Sequence, residues 1–99
     1  SDAVREIIVA ADTLRSALAS YRAASELVRA ADTTRRAAAA SYKAGTGSIT
    51  LVTAADTGLL TASQARADAH AASLVAAANL AFGLGAMDSG ATASGLLAR

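Results

Sequence analysis

A single glycine-rich break, Gly45-Thr46-Gly47-Ser48, divides this chain into two long stretches of helical periodicity, neither containing proline. Without proline no enforced kink interrupts either stretch. Glycine supplies the left-handed conformation that closes a helix, so the first helix is predicted to stop at Ala44-Gly45. A link this short forces the second helix to run back antiparallel to the first. The predicted fold class is all-α, a long antiparallel helical hairpin of coiled-coil type. Its predicted parts are a hairpin over 1–87 (helix 4–43, turn 44–48, helix 49–84) and a flexible tail over 88–99.

In the first stretch Val4, Ile7, Ala11, Leu14, Leu18, Tyr21, Ser25 and Val28 recur at alternating steps of three and four, the mark of a coiled-coil seam. The same register places Asp32 and Arg35 on the seam, then Ala39 and Tyr42. That break implies either a polar layer or a shift to the stripe Leu27, Ala31, Thr34 and Ala38. Arg15, Arg22, Arg29 and Arg36 follow one another every seven residues on an outer strip and read as a solvated face. The second seam is Val52, Ala55, Leu59, Ala62, Arg66, Ala69, Ser73, Ala76 and Leu80. Its N-cap is Ser48 or Thr50, or else Thr53 through a capping box with Asp56.

The chain is 54% apolar but 3% aromatic, and most of the apolar share is alanine. Alanine favours helix and close helix approach, yet it buries little area, so a core built from it is weak per residue. The second helix compounds the problem. Over more than thirty residues its ionisable groups are Asp56, Arg66, Asp68 and His70, too few to make a polar outer face. It is therefore expected to be covered on more than one side, by other chains or by other parts of its own chain. The uncharged run Ala71–Met87 is short for a membrane span and is diluted by Ser73, Asn79 and two glycines, so a bilayer is the poorer reading. No basic segment followed by an apolar one opens the chain, so a targeting signal would lie outside these residues.

The residues point away from catalysis. There is no cysteine, and the sole histidine, His70, has no second metal ligand at helical spacing. No base and orienting acid converge on a serine or threonine, and no paired carboxylates share a helix face. The turn glycines lack the strand and the Gly-Lys-Ser/Thr ending of a phosphate loop. A net charge of +1, with no aromatics beside basic residues, argues against nucleic acid. No catalytic residue, metal or cofactor is expected. Ala-Ala-Asp-Thr recurs at 10–13, 30–33 and 54–57, but the spacing is irregular, and chance in so biased a composition explains it.

Around the turn the sequence becomes more specific. Ser41-Tyr-Lys-Ala-Gly-Thr-Gly-Ser-Ile-Thr50, then Leu59-Leu60-Thr61-Ala62, resembles the second periplasmic hairpin of the TolC-like outer-membrane efflux proteins. Asn79-Leu80-Ala81-Phe82-Gly83-Leu84-Gly85 resembles the Leu- and Gly-containing ending that follows it there. The resemblance spans roughly residues 5 to 87. It implies a homo-oligomer, a trimer in that family, whose helices form a tunnel across the periplasm below an outer-membrane barrel. It also implies a periplasmic adaptor protein and an inner-membrane pump as partners. Tyr42, Gly45, Thr46, Gly47, Ser48 and Ile49 would then be the adaptor-docking and pore-tip residues. Tyr42 would lean into the pore or against a neighbouring helix; its seam register offers the plainer alternative. Val52 and Ala55 keep the family pattern. Leu51 and Ala54 stand where acidic residues are found, Thr53 replaces a leucine and Asp56 a glutamine, so an acidic ring at the pore mouth is not implied.

Overall fold

The computed structural model describes residues 1–97 and consists of two helices, α1 (Asp2–Lys43) and α2 (Ile49–Leu97), packed side by side. The molecule is a rod of 81 × 15 × 14 Å. It is an all-α antiparallel hairpin, as the periodicity and the single turn require.

Local chemistry sets the ends of α1. Ser1 caps it, its hydroxyl accepting from the Val4 amide at 3.4 Å. Asp2 in the first turn and Lys43 in the last both suit the helix dipole. Threonines within the helices satisfy their own hydroxyls. Thr13, Thr33, Thr34 and Thr53 each donate to the carbonyl four residues back, at 2.9 to 3.1 Å.

α2 runs past Leu84, the predicted end, to Leu97. Residues 88–97 of the expected tail are thus helical; 98–99 lie outside the described residues. Gly83 and Gly85 do not end the helix because glycine closes one only by adopting positive φ. Among the described residues Gly45 alone does so. No proline follows to block continuation.

The contact line follows the predicted seam closely on α2. Val52, Ala55, Leu59, Ala62, Ala69, Ser73, Ala76 and Leu80 are all at least partly buried, and Gly83 and Met87 extend the series. Arg66 is the exception and is exposed. On α1 Ile7, Ala11, Leu14, Tyr21, Ser25 and Val28 hold the predicted seam. Val4 and Leu18 are more exposed, at 43% and 38%. Toward the turn the line moves to Ala38 and Ser41, leaving Arg35, Ala39 and Tyr42 outside it. The cause is the turn, which presses Gly47 against Ser41 and so fixes which face of the last α1 turn meets α2. Facing positions along the rod include Ile7 with Gly83, Tyr21 with His70, and Arg35 with Asp56.

The core is thin. Among the described residues only Ala62, Ala76 and Ser73 are buried, and no large side chain is fully enclosed. The Ser73 hydroxyl donates to the His70 carbonyl at 2.7 Å, which satisfies the one buried polar side chain. A compact monomer of 9.7 kDa exposes about 5,100 Å² by the usual size scaling. This chain exposes 7056 Å².

Candidate functional site: the hairpin tip and its lateral groove

The tip is built around one carbonyl. Ala44 ends α1 in right-handed helical conformation, and Gly45 follows at φ 81°. The Gly45 amide donates to the Tyr42 carbonyl at 3.1 Å, and the Thr46 amide to the Ser41 carbonyl at 2.9 Å. This pair is a Schellman closure. The Ser41 oxygen also accepts from the Gly47 amide at 3.0 Å and the Thr46 hydroxyl at 3.2 Å. Gly47 needs to be glycine for a different reason from Gly45. A Cβ there would stand 2.8 Å from the Ser41 Cβ and 3.2 Å from two backbone atoms, whereas a Cβ on Gly45 would meet nothing within 4 Å.

Ser48 is the cap of α2. Its hydroxyl accepts from the Leu51 amide at 3.2 Å, and its carbonyl from the Val52 amide at 3.3 Å. Thr50 and Thr53 lie inside the helix, and Thr53 donates backward to Ile49 instead of opening a capping box.

The six residues predicted for the tip are therefore contiguous in space, and the Gly45, Thr46 and Gly47 amides and the Ser48 carbonyl are hydrogen-bonded. Tyr42, Ile49 and neighbouring Leu51 are each more than half exposed. Of the two positions open to Tyr42, the seam is excluded, because Ser41 takes it. The tip surface is apolar and hydroxylic, and Lys43 is its nearest charge.

Behind the tip a lateral groove of about 940 Å³ runs along both helices, from Leu27 to Ser41 on α1 and from Gly47 in the turn to Ala62 on α2. Its walls are alanine, threonine, serine and glycine with Leu27 and Leu51, and no charged side chain lines it. The alternative stripe Leu27, Ala31, Thr34 and Ala38 forms its α1 wall. On the hairpin edge the Arg35 Nε contacts the Asp56 Oδ1 at 3.1 Å, both side chains about half exposed. Thus the break at Asp32 and Arg35 contains both a cross-helix polar contact and a shift of the packing line. Asp32 turns to Arg36 on its own helix at 3.0 Å. The sequence reading missed the Arg35–Asp56 pair, although a charge at a seam position opposite a lone aspartate was the available signal.

His70 lies against the Tyr21 ring, centroids 5.4 Å apart, and faces no second ligand. Among the described residues no three His, Cys, Asp or Glu side chains gather where they could hold a metal ion. The segment Ile49–Gly90 is long and apolar enough to cross a membrane by length and composition. It is nevertheless paired along its length with α1. That helix sets Arg5 and Glu6 beside the Ile7–Gly83 contact, where a bilayer would have to desolvate them. The chain matches no protein-family model, no curated protein and no solved structure.

Proposed function

We propose that this chain is the periplasmic helical hairpin of a TolC-like outer-membrane efflux channel. In this reading the rod forms part of an oligomeric tunnel wall, a trimer by resemblance. The turn is the tip that meets a periplasmic adaptor linked to an inner-membrane pump. The observation that carries the reading is the tip itself. The residues behind the sequence resemblance, from Ser41 to Thr50, make a hydrogen-bonded turn at one end of an 81 Å rod, with Lys43 as their one charge and with Tyr42 and Ile49 exposed. A surface of this kind suits docking to another helical hairpin. The bare outer face of α2 supports the reading too, since a helix in a tunnel wall has neighbours on several sides.

A second reading, a stand-alone hairpin module that self-associates, is supported by the thin core. Immunoblotting of fractionated native cells with an antibody to residues 1–99 separates the two. A band several times heavier than 9.7 kDa in the outer-membrane fraction is the expected result. A soluble band near 9.7 kDa overturns the channel reading and leaves the module. In cells, Gly45→Val should lower export while assembled helices persist, because a β-branched residue tolerates positive φ poorly.

A further inference from the structure

We infer that the flank of the hairpin opposite the lateral groove docks a third helix, an amphipathic one that carries a carboxylate at every seventh residue and comes from a sequence other than this chain. The α1 wall of that flank is a ladder of cations. Arg15, Arg22, Arg29, Arg36 and Lys43 follow one another at steps of seven, and the first three each directly follow a seam residue, Leu14, Tyr21 or Val28. On a helix that spacing sets them about 10 Å apart along one side. The position beside the seam is the one that sets partner choice in a coiled coil. Its counterpart on the groove side is Ala10, Ala17, Ala24, Ala31 and Ala38, all half-buried, so the charge is confined to one flank.

α2 does not answer these charges. The register fixed by Tyr21 with His70 and Arg35 with Asp56 puts Asp56, Ser63, His70 and Ala77 along the same edge. Asp56 is the one carboxylate among them, and it contacts Arg35 instead of the ladder. Arg15, Arg29 and Arg36 turn back to Asp12, Glu26 and Asp32 of their own helix with side chains 76–79% exposed, and pairs that exposed are weak and exchangeable. Arg22 has Leu18 and Ala19 at the matching places and forms no ion pair among the described residues. Further round the same flank α2 presents Leu60 and Leu74, two heptads apart and 60% and 58% exposed. One wall is therefore cationic and the other aliphatic, on the same seven-residue spacing. A helix with carboxylates along one edge of its apolar stripe satisfies both walls. The net charge of +1 is too balanced to draw a polyanion, so the spacing selects the partner. This chain does not supply such a helix, because none of its eight Asp and Glu residues stands seven from another.

The test is fluorescence anisotropy with a labelled synthetic helix of about four heptads, each heptad holding one glutamate and one leucine on the same face. Its control has lysine in place of every glutamate. Residues 1–99 should bind the glutamate peptide at least about tenfold more tightly than the lysine peptide, and the difference should shrink as NaCl rises from about 0.05 M to about 0.5 M. Changing Arg15, Arg22, Arg29 and Arg36 together to glutamine, which keeps helix propensity, should abolish the preference. Leu60→Ala with Leu74→Ala should weaken binding of the glutamate peptide, and Leu27→Ala, in the groove, should leave it unchanged. Circular dichroism checks that each variant stays helical. If the four-glutamine chain unfolds, Arg22→Gln alone, which has no ion pair to lose, must still lower the preference. No binding of the glutamate peptide at about 100 µM overturns the inference. So do equal binding of the two peptides, a preference that survives loss of the arginines, or a loss from Leu27→Ala as large as that from the leucine pair. Cellular location does not enter these readouts, so their failure leaves the export reading standing.

Discussion

Replacing Gly47 with alanine should damage the hairpin more than the same change at Gly45, although Gly45 has the unusual backbone. At Gly45 the added methyl meets open space, and the cost is that of a left-handed residue with a Cβ, about 1–2 kcal/mol. At Gly47 the methyl would lie 2.8 Å from the Ser41 Cβ and 3.2 Å from the Ser41 carbonyl carbon and Tyr42 nitrogen. Backbone atoms cannot rotate aside, so the turn has to open. Opening strains the two amide bonds to the Ser41 oxygen, each worth roughly 0.5–1.5 kcal/mol, on top of an overpacking cost of about 1–3 kcal/mol. The expected loss at Gly47 is about 2–6 kcal/mol, the upper end applying if both bonds break. Urea unfolding followed by helical circular dichroism measures it, with protein concentration held fixed because association would shift the midpoint. Ser41→Gly in the same chain removes the nearest obstructing atom, so the double variant should lose less than the two single losses added together. A Gly47→Ala chain as stable as Gly45→Ala, or one that Ser41→Gly does not relieve, would refute the reasoning.

Three further outcomes follow from the same geometry. Gly83→Ala should stabilise the chain by about 0.5–1 kcal/mol, seen as a higher Tm, because the helix gains propensity and the new Cβ rests 3.6 Å from the Ile7 Cγ1 in ordinary contact. Ser48→Ala should cost about 1 kcal/mol in urea unfolding through loss of the α2 cap, and Thr50→Ala should cost less because Thr50 is not the cap. A double-mutant cycle on Arg35 and Asp56 should return under about 1 kcal/mol and shrink in high salt, since both side chains are about half solvent-exposed.

The hairpin was legible because its information is local. Two proline-free periodic stretches and one glycine turn leave an antiparallel pair as the simple solution, and the α2 seam was readable almost residue by residue. What escaped is set by contact. Ser41 displaces Tyr42 from the seam because Gly47 packs on Ser41, a consequence of three-dimensional closure that periodicity does not encode. Helix continuation through Gly83 and Gly85 escaped because glycine was read as a stop, whereas its effect depends on the φ it adopts. The groove was half visible as the stripe Leu27, Ala31, Thr34 and Ala38. Its second wall required the register of α2, and so did the contact between Arg35 and Asp56.

The placement of the fastenings gives this hairpin unequal leverage. The two helices are joined covalently and by the Ser41 hydrogen bonds at one end, and nothing beyond Ala76 toward the other is buried among the described side chains. A hinge of about 5° at the turn would carry the far end of α1, about 63 Å away, through about 5 Å. A small change of angle at the turn thus corresponds to a large displacement at the open end. Whatever grips the open end controls the angle of the whole rod.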